Sequence, residues 1–199
     1  MIIYDAETIK PVKMRDTIPE EGIEYCDSWT DFKNMGISVV CAYSYDYDQY
    51  HVYLNDNLDS FISLVDSDPF VVGFNSQMFD DRLLLSNGHR VSTSYDILRE
   101  IYRALGLNPF PESPGPEYRG YGLDAVASAM GLKGKSGNGA MAPIQWQRGF
   151  YGSVIDYCLT DVWLTKEIMD KVLSQIPIIN PNDSSDLLLR MPYEPYKIK

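Results

Sequence analysis

Short apolar runs near the start of the chain predict strands. The run at residues 2–4 predicts a first strand that ends at Asp5. Residues 37–45 and 49–54 are rich in β-branched and aromatic side chains, which predicts two strands joined as a hairpin. The continuous apolar run at 70–74 is typical of a buried strand that is covered on both faces.

Helical spacing of apolar residues dominates the remainder of the chain. The predicted helices span residues 58–65, 78–85, 95–105, 123–130 and 153–173. Residues 10–35 are mixed and polar, and residues 108–120 are rich in proline, so both are expected to be loops or insertions. The segment 177–199 is expected to be an irregular C-terminal tail.

The element order predicts the fold class and the domain organisation. A strand, a hairpin, a helix, a strand and then mostly helices indicate an α/β fold, with helices packed against a mixed central β-sheet. The 199 residues have the length of one ordinary domain. Because no repeat or linker divides the chain, residues 1–199 are expected to form a single domain.

Composition narrows the possible partners. The formal net charge of −11 argues against a general nucleic-acid binder, whose surface is normally basic. That objection weakens if carboxylates hold divalent cations, because bound ions cancel charge where a substrate lies. The three cysteines form no CxxC pair, and no apolar run approaches the ~20 residues that span a bilayer. A cytoplasmic protein without membrane contact is therefore expected.

The first chemical motif is Asp5-Ala6-Glu7-Thr8, at the end of the first predicted strand. Side chains alternate across a strand, so Asp5 and Glu7 point to the same face. Two adjacent carboxylates repel each other unless a cation lies between them. Oxygen ligands of this kind suit Mg²⁺ or Mn²⁺.

The second motif follows the predicted strand at 70–74 and places Asp80 at the opening of a helix beyond the sheet edge. Ligands in α/β folds bind at the ends of strands, so Asp80 is a candidate metal ligand. Alternatively, Asp80 only caps the helix. Its neighbour Asp81 makes the assignment ambiguous.

The third motif is Tyr157-Cys158-Leu159-Thr160-Asp161 in the last long helix. Tyr157 and Asp161 are four residues apart and so share one helical face. The surrounding residues are mostly apolar. An aspartate that faces inward among them needs a partner, which a metal ion would supply.

Together, the DxE pair, the Asn75-to-Asp80 segment and the YxxxD motif resemble the DEDDy branch of the 3′→5′ exonucleases. The nearest likeness is to the proofreading exonuclease domain of B-family DNA polymerases. This resemblance implies a ribonuclease H-like fold with helices on both sides of the sheet. It also implies a catalytic set consisting of Asp5, Glu7, Asp80, Tyr157 and Asp161.

The resemblance assigns roles to these residues. The four acids would hold two Mg²⁺ or Mn²⁺ ions, with Tyr157 orienting the attacking water. Thr8, Asn75 and Phe79 would contact the terminal nucleotide. The implied activity is the release of nucleoside monophosphates from the 3′ end of a single strand, with DNA favoured and with replication or repair proteins as possible partners.

Two other functions stay open at the level of sequence. The chain could be a catalytically silent module that binds nucleic acid or a partner protein, although all four acids and the tyrosine are present. It could also be a structure-specific endonuclease on the same fold.

Overall fold

The computed structural model describes residues 1–14, 18–68, 70–132 and 139–192. A five-stranded sheet forms its centre. The strands are β1 (Ile2–Thr8), β2 (Ile37–Ser44), β3 (Gln49–Tyr53), β4 (Val71–Gly73) and β5 (Tyr95–Asp96).

The sheet is mixed, with the spatial order β3-β2-β1-β4-β5. β1 pairs antiparallel with β2 and parallel with β4, and β5 continues parallel on β4. β1 therefore lies in the middle of the sheet. Its central position explains why it is apolar over its first three residues and carries polar side chains only near its end.

Helices cover both faces of the sheet, as predicted. They are α1 (Phe32–Met35), α2 (Leu58–Ser67), α3 (Asp80–Ser86), α4 (Ile97–Ala104), α5 (Leu123–Ala129), α6 (Ala142–Gln147) and α7 (Tyr151–Leu173). One core cluster contains side chains of α4 to α7, and a second contains side chains of α1 to α3. None of the helices within the described ranges has the length and apolar character needed to cross a membrane.

The alternation along β1 decides which helices its side chains meet. Ile3 belongs to the core cluster beneath α7, whereas Ile2 and Tyr4 belong to the opposite cluster. Asp5 and Glu7 continue the odd-numbered series and so face the α7 side. The thiol of Cys158 on α7 donates a hydrogen bond to the Asp5 carbonyl at 3.4 Å, which fixes this helix against the strand.

Several predicted boundaries were wrong. β1 extends to Thr8 rather than ending at Asp5, because residues 5 to 8 continue to pair with β2. The helix predicted from residue 95 begins at Ile97, since Tyr95 and Asp96 pair with β4 and Asp96 caps the helix.

The segment 177–199 is not uniformly irregular. It contains β6 (Ile178–Ile179) and β7 (Asp186–Leu187), which pair antiparallel. Ile178 and Leu187 join the core on the α7 side, and this burial explains the pairing. Residues 193–199 lie outside the described ranges.

Candidate active site

Asp5 and Glu7 project from the end of β1 toward α7. Their backbones pair with Cys41 and Val39 of β2, and the register shifts immediately after Glu7. This bulge increases the local twist where the strand leaves the sheet. Both carboxylates are half-buried.

Asp161 reaches the same place from α7, although it lies more than 150 residues further along the chain. Its side chain is buried, with 6% exposure. Carboxylate oxygens of Asp5, Glu7 and Asp161 all lie within 4.8 Å of one another. The packing of α7 on β1 therefore brings together three of the four acids that the sequence motifs predicted.

Asp80 approaches Asp5 from the opposite side of β1. It is the first residue of α3, is 5% exposed, and accepts a hydrogen bond from the backbone N–H of Ala6 at 3.2 Å. Burial and the nearby charge of Asp5 raise the pKa of the Asp80 carboxyl well above its ordinary value. The charge of Asp5 thus adds to the effect of burial on the Asp80 carboxyl.

The turn before Asp80 depends on Gly73. A Cβ atom at this position would overlap the side chain of Ser76, which is fully buried in the turn. The chain can therefore double back at the end of β4 only with glycine at 73. This turn brings the first residue of α3 to the side of β1.

Asp81 has a different role from its neighbour. It accepts a hydrogen bond from the Tyr4 hydroxyl at 2.5 Å, and from the backbone N–H and hydroxyl of Thr93, each at 2.9 Å. These donors hold α3 against β1 and the segment before β5. Asp80 faces the other acids, so the ambiguity between the two aspartates is resolved by geometry.

Asn75 is held by a buried arginine that sequence reasoning missed. Its backbone is left-handed, with φ of 63°, and its side-chain oxygen accepts a hydrogen bond from the Arg99 guanidinium. Asp96 fixes the same turn by accepting from the N–H groups of Asn75 at 3.0 Å and Gln77 at 3.1 Å. Burial raises the pKa of Asp96, and these donors together with Arg99 oppose that effect.

A cavity of about 550 Å³ opens beside these residues. It is lined by Asp5, Glu7 and Asp80 and by all three predicted substrate-binding residues, Thr8, Asn75 and Phe79. The Phe79 ring also packs edge-on against Phe32 at 5.7 Å. Phe79 therefore combines a core contact with a place in the cavity wall.

Tyr157 lies one helical turn before Asp161 and is half-buried. A Cβ atom on Gly139 would lie 2.7 Å from its hydroxyl oxygen, so the phenol closely approaches the backbone of Gly139. Gly139 lines the cavity. The tyrosine hydroxyl therefore lies close to the cavity wall near the acids.

The donor set fits a divalent metal ion. All the converging ligand atoms are carboxylate oxygens, which Mg²⁺ and Mn²⁺ prefer over softer donors. Three carboxylates within 4.8 Å also concentrate negative charge that a cation would neutralise. Asp5, Glu7 and Asp161 would hold such an ion, and Asp80 is placed to contribute beside Asp5.

Comparisons with known proteins are consistent with this fold. Neither a protein-family model nor a curated protein sequence matches the chain. Among solved structures, it is similar to the family B DNA polymerase from the hyperthermophilic archaeon Pyrobaculum calidifontis, with a TM-score of 0.54 and 15% identity. The match covers 86% of this chain and 24% of the polymerase chain. This likeness confirms the predicted ribonuclease H-like α/β fold.

Sequence reasoning also missed Gln147, which binds the 10–35 segment. A polar residue before a helix is a signal that could have identified Asp96 as a cap. Arg99 and Gln147 contact residues that are 24 and 123 positions away, respectively. The residues next to Arg99 and Gln147 in the sequence form no pattern from which such contacts could be predicted.

Proposed function

We propose that this chain is a metal-dependent 3′→5′ exonuclease. It hydrolyses phosphodiester bonds at the 3′ end of single-stranded nucleic acid, DNA in preference to RNA, and releases nucleoside monophosphates. The observation that carries the proposal is the convergence of Asp5, Glu7 and Asp161 within 4.8 Å beside a nucleotide-sized cavity.

The four acids would bind two metal ions. Asp5, Glu7 and Asp161 would hold one ion, and Asp5 and Asp80 would hold a second, directly or through water. Two ions of this kind stabilise the attacking and the leaving oxygens of a phosphodiester when they are bound. Tyr157 orients the attacking water through its hydroxyl and does not act as a free base, because an unperturbed phenol ionises only near pH ~10.

The remaining site residues hold the terminal nucleotide. Thr8, Asn75 and Phe79 all line the cavity beside the acids. Because Arg99 occupies the Asn75 side-chain oxygen, the amide N–H group of Asn75 is oriented for donation to a substrate oxygen. Asp96 and Arg99 act as positioning residues, since they fix the turn that carries Asn75.

The decisive experiment uses matched single-stranded oligonucleotides with blocked 3′ or 5′ ends, in DNA and RNA, incubated with Mg²⁺, Mn²⁺ or EDTA. Stepwise shortening is expected only with a metal ion and only when the 3′ end is free. Cleavage of a circular single strand would instead indicate an endonuclease.

A pair of variants on α7 connects that activity to the acids. Asp161→Asn removes a charge from the convergent set, and Asp156→Asn removes one from an exposed position on the same helix. Activity is expected to be lost in the first variant and kept in the second. Metal-independent binding of nucleic acid without shortening, in the unmodified protein, would favour the catalytically silent module.

A further inference from the structure

Part of the cavity wall comes from the segment that connects β1 to α1. We name this segment the strap; it comprises residues 10–14 and 18–29, between β1 and α1. Pro11, Val12 and Trp29 of the strap line the cavity, as do Met141 and Ile144 across from them. The cavity therefore combines a cluster of acids with a mostly apolar wall, to which Lys10 and Glu20 of the strap also contribute.

The strap has a defined shape. The N–H group of Lys13 donates to the Cys26 carbonyl at 2.9 Å, and the N–H group of Cys26 donates to the Pro11 carbonyl at 3.0 Å. These bonds pair the beginning of the strap with its later part. Cys26 is buried at 2% exposure, so this pairing is anchored in the core beneath the sheet.

Gln147 at the end of α6 binds the strap through its side chain. Its side-chain amide donates to the carbonyls of Ile9 at 3.0 Å and Glu24 at 2.9 Å. Its side-chain oxygen accepts from the N–H group of Glu24 at 2.7 Å. Arg148 adds an ion pair with Glu20. One glutamine thus links Glu24 of the strap to the end of β1 and to α6.

The lining of the cavity indicates the chemistry of its occupant. The acid cluster suits an anion bridged by cations, and the mostly apolar wall suits a flat, uncharged group attached to that anion. A phosphate group that carries an unpaired nucleobase has both properties. The cavity volume of about 550 Å³ also lies in the range of sites for one small molecule, roughly 300–1,000 Å³.

We propose that the strap is the element that restricts this site to unpaired ends. The terminal base enters between the strap and α6 and stacks on Trp29, an exposed residue that lines the cavity. A paired end is excluded because the opposite strand would have to occupy the place of the strap. Gln147 is the positioning residue that keeps the strap there. This inference rests on the proposed function for the identity of the ligand.

Equilibrium binding tests the stacking contact without depending on turnover. The probe is a 5′-fluorescein oligonucleotide in Ca²⁺, measured by fluorescence anisotropy, as a single strand, as a blunt duplex, and as a single strand with an abasic 3′ end. The unmodified protein should prefer the intact single strand over both other forms. Trp29→Ala should weaken single-strand binding by at least about fivefold, which is the lower range for base stacking on an aromatic side chain.

The abasic probe distinguishes the loss of base stacking from a general loss of binding caused by the substitution. Trp29→Ala should bind the intact and abasic strands with similar affinity, because the contact that distinguishes them is gone, whereas Trp29→Phe should keep part of the difference. Equal affinity of the unmodified protein for both strands would overturn the stacking assignment.

Gln147→Ala tests whether Gln147 keeps the strap in place. Releasing the strap should reduce the preference for a single strand over the duplex by at least about fivefold. Gln145→Ala is the matched control on the same helix, since the bonds that hold the strap come from the Gln147 side chain, and it should keep the preference. An unchanged preference in Gln147→Ala, with a normal melting temperature, would overturn the proposal.

Hydrolysis of bis(p-nitrophenyl) phosphate by the unmodified protein in Mn²⁺ keeps the two proposals distinguishable, because this diester lacks a nucleobase. If the diester and all oligonucleotides resist hydrolysis while binding follows the predicted pattern, the exonuclease proposal fails and the role of the strap is supported. If the protein hydrolyses these substrates but its binding depends on neither Trp29 nor Gln147, the exonuclease proposal is supported and the role of the strap fails.

Discussion

Two groups of aspartates at one end of the sheet differ in what surrounds their charge. Asp81 and Asp96 accept hydrogen bonds from hydroxyl and backbone N–H groups of neighbouring segments. Asp5 and Asp161, in contrast, converge with Glu7, and Asp80 is repelled by the charge of Asp5. Asp80 also accepts a hydrogen bond from Ala6, so what distinguishes the second group is the like charge nearby.

This difference separates structural from functional acids better than burial does. Asp80, Asp96 and Asp161 are all less than 9% exposed, yet only Asp96 caps a helix and holds a turn. Buried carboxylates that meet protein donors stabilise the fold, whereas carboxylates that meet each other need an external cation. Asp80 and Asp81 show the contrast in adjacent positions.

The largest expected effect is on hydrolysis. Asp5→Ala removes the acid shared by both proposed ions, so the initial rate on a labelled single strand in Mn²⁺ should fall by about a thousandfold or more. Asp183→Asn, at an exposed position, should retain the rate. The far-ultraviolet circular dichroism of Asp5→Ala should match that of the unmodified protein, and residual activity within tenfold would contradict the role of Asp5.

The next largest effect is on the free energy of unfolding. It concerns Asp81, whose carboxylate accepts hydrogen bonds from protein donors. Asp81→Ala leaves the buried Tyr4 hydroxyl and the Thr93 N–H group without their acceptor, which should lower the free energy of unfolding by about 2–4 kcal/mol. Urea denaturation in EDTA measures this loss. Asp81→Asn keeps an oxygen acceptor and should lose less. If Asp81→Ala were as stable as the unmodified protein, the assignment of Asp81 as an acid that stabilises the fold would be wrong.

Metal binding gives a third, slightly smaller effect. Mn²⁺ at 100 times its dissociation constant should raise the free energy of unfolding by about 2.7 kcal/mol, because it binds only the folded protein. The melting temperature should rise by about 5–10 °C for a domain of this size. This rise should be absent in Asp161→Asn and present in Asp156→Asn. A rise in both variants would place the ion elsewhere.

The smallest effect is a gain of stability at the crowded acids. The pKa of Asp80 is raised above 3.8 in the folded protein, so the folded protein holds this proton over a pH range in which the unfolded chain has lost it. Stability from this group is therefore present below pH ~4 and is lost as pH rises through the folded pKa.

Asp80→Asn removes the ionisable carboxyl and therefore the loss of stability that accompanies its deprotonation. In EDTA, the variant should exceed the unmodified protein by about 1 kcal/mol at neutral pH and should approach it near pH 4. Urea denaturation at the two pH values measures the difference. A variant that is less stable than the unmodified protein at neutral pH would show that burial and the charge of Asp5 do not destabilise the ionised Asp80 carboxylate.

The parts of this fold that sequence predicts are those with local patterns. The alternation in β1, the runs that form β2 to β4 and the spacing in α7 are all visible within a few residues. These patterns were enough to place Asp5, Glu7 and Asp161 on elements that meet. The helix predicted at 78–85 likewise corresponds to α3.

The parts that sequence does not predict depend on distant contacts. α6 is only six residues long and contains a proline at its second position, so its periodicity is too short to recognise. The shape of the strap depends on contacts between distant residues, both within the strap and with Gln147. The start of α4 was misplaced because Tyr95 fits helical spacing as well as it fits a strand.

The separation of the convergent acids along the chain has a consequence for biosynthesis. β1 ends at Thr8 and the helix that carries Asp161 begins at Tyr151, so the strand emerges from the ribosome well before the helix. A nascent or prematurely terminated polypeptide that lacks this helix has only part of the cation-binding set. The centre is therefore completed only when α7 docks on the sheet.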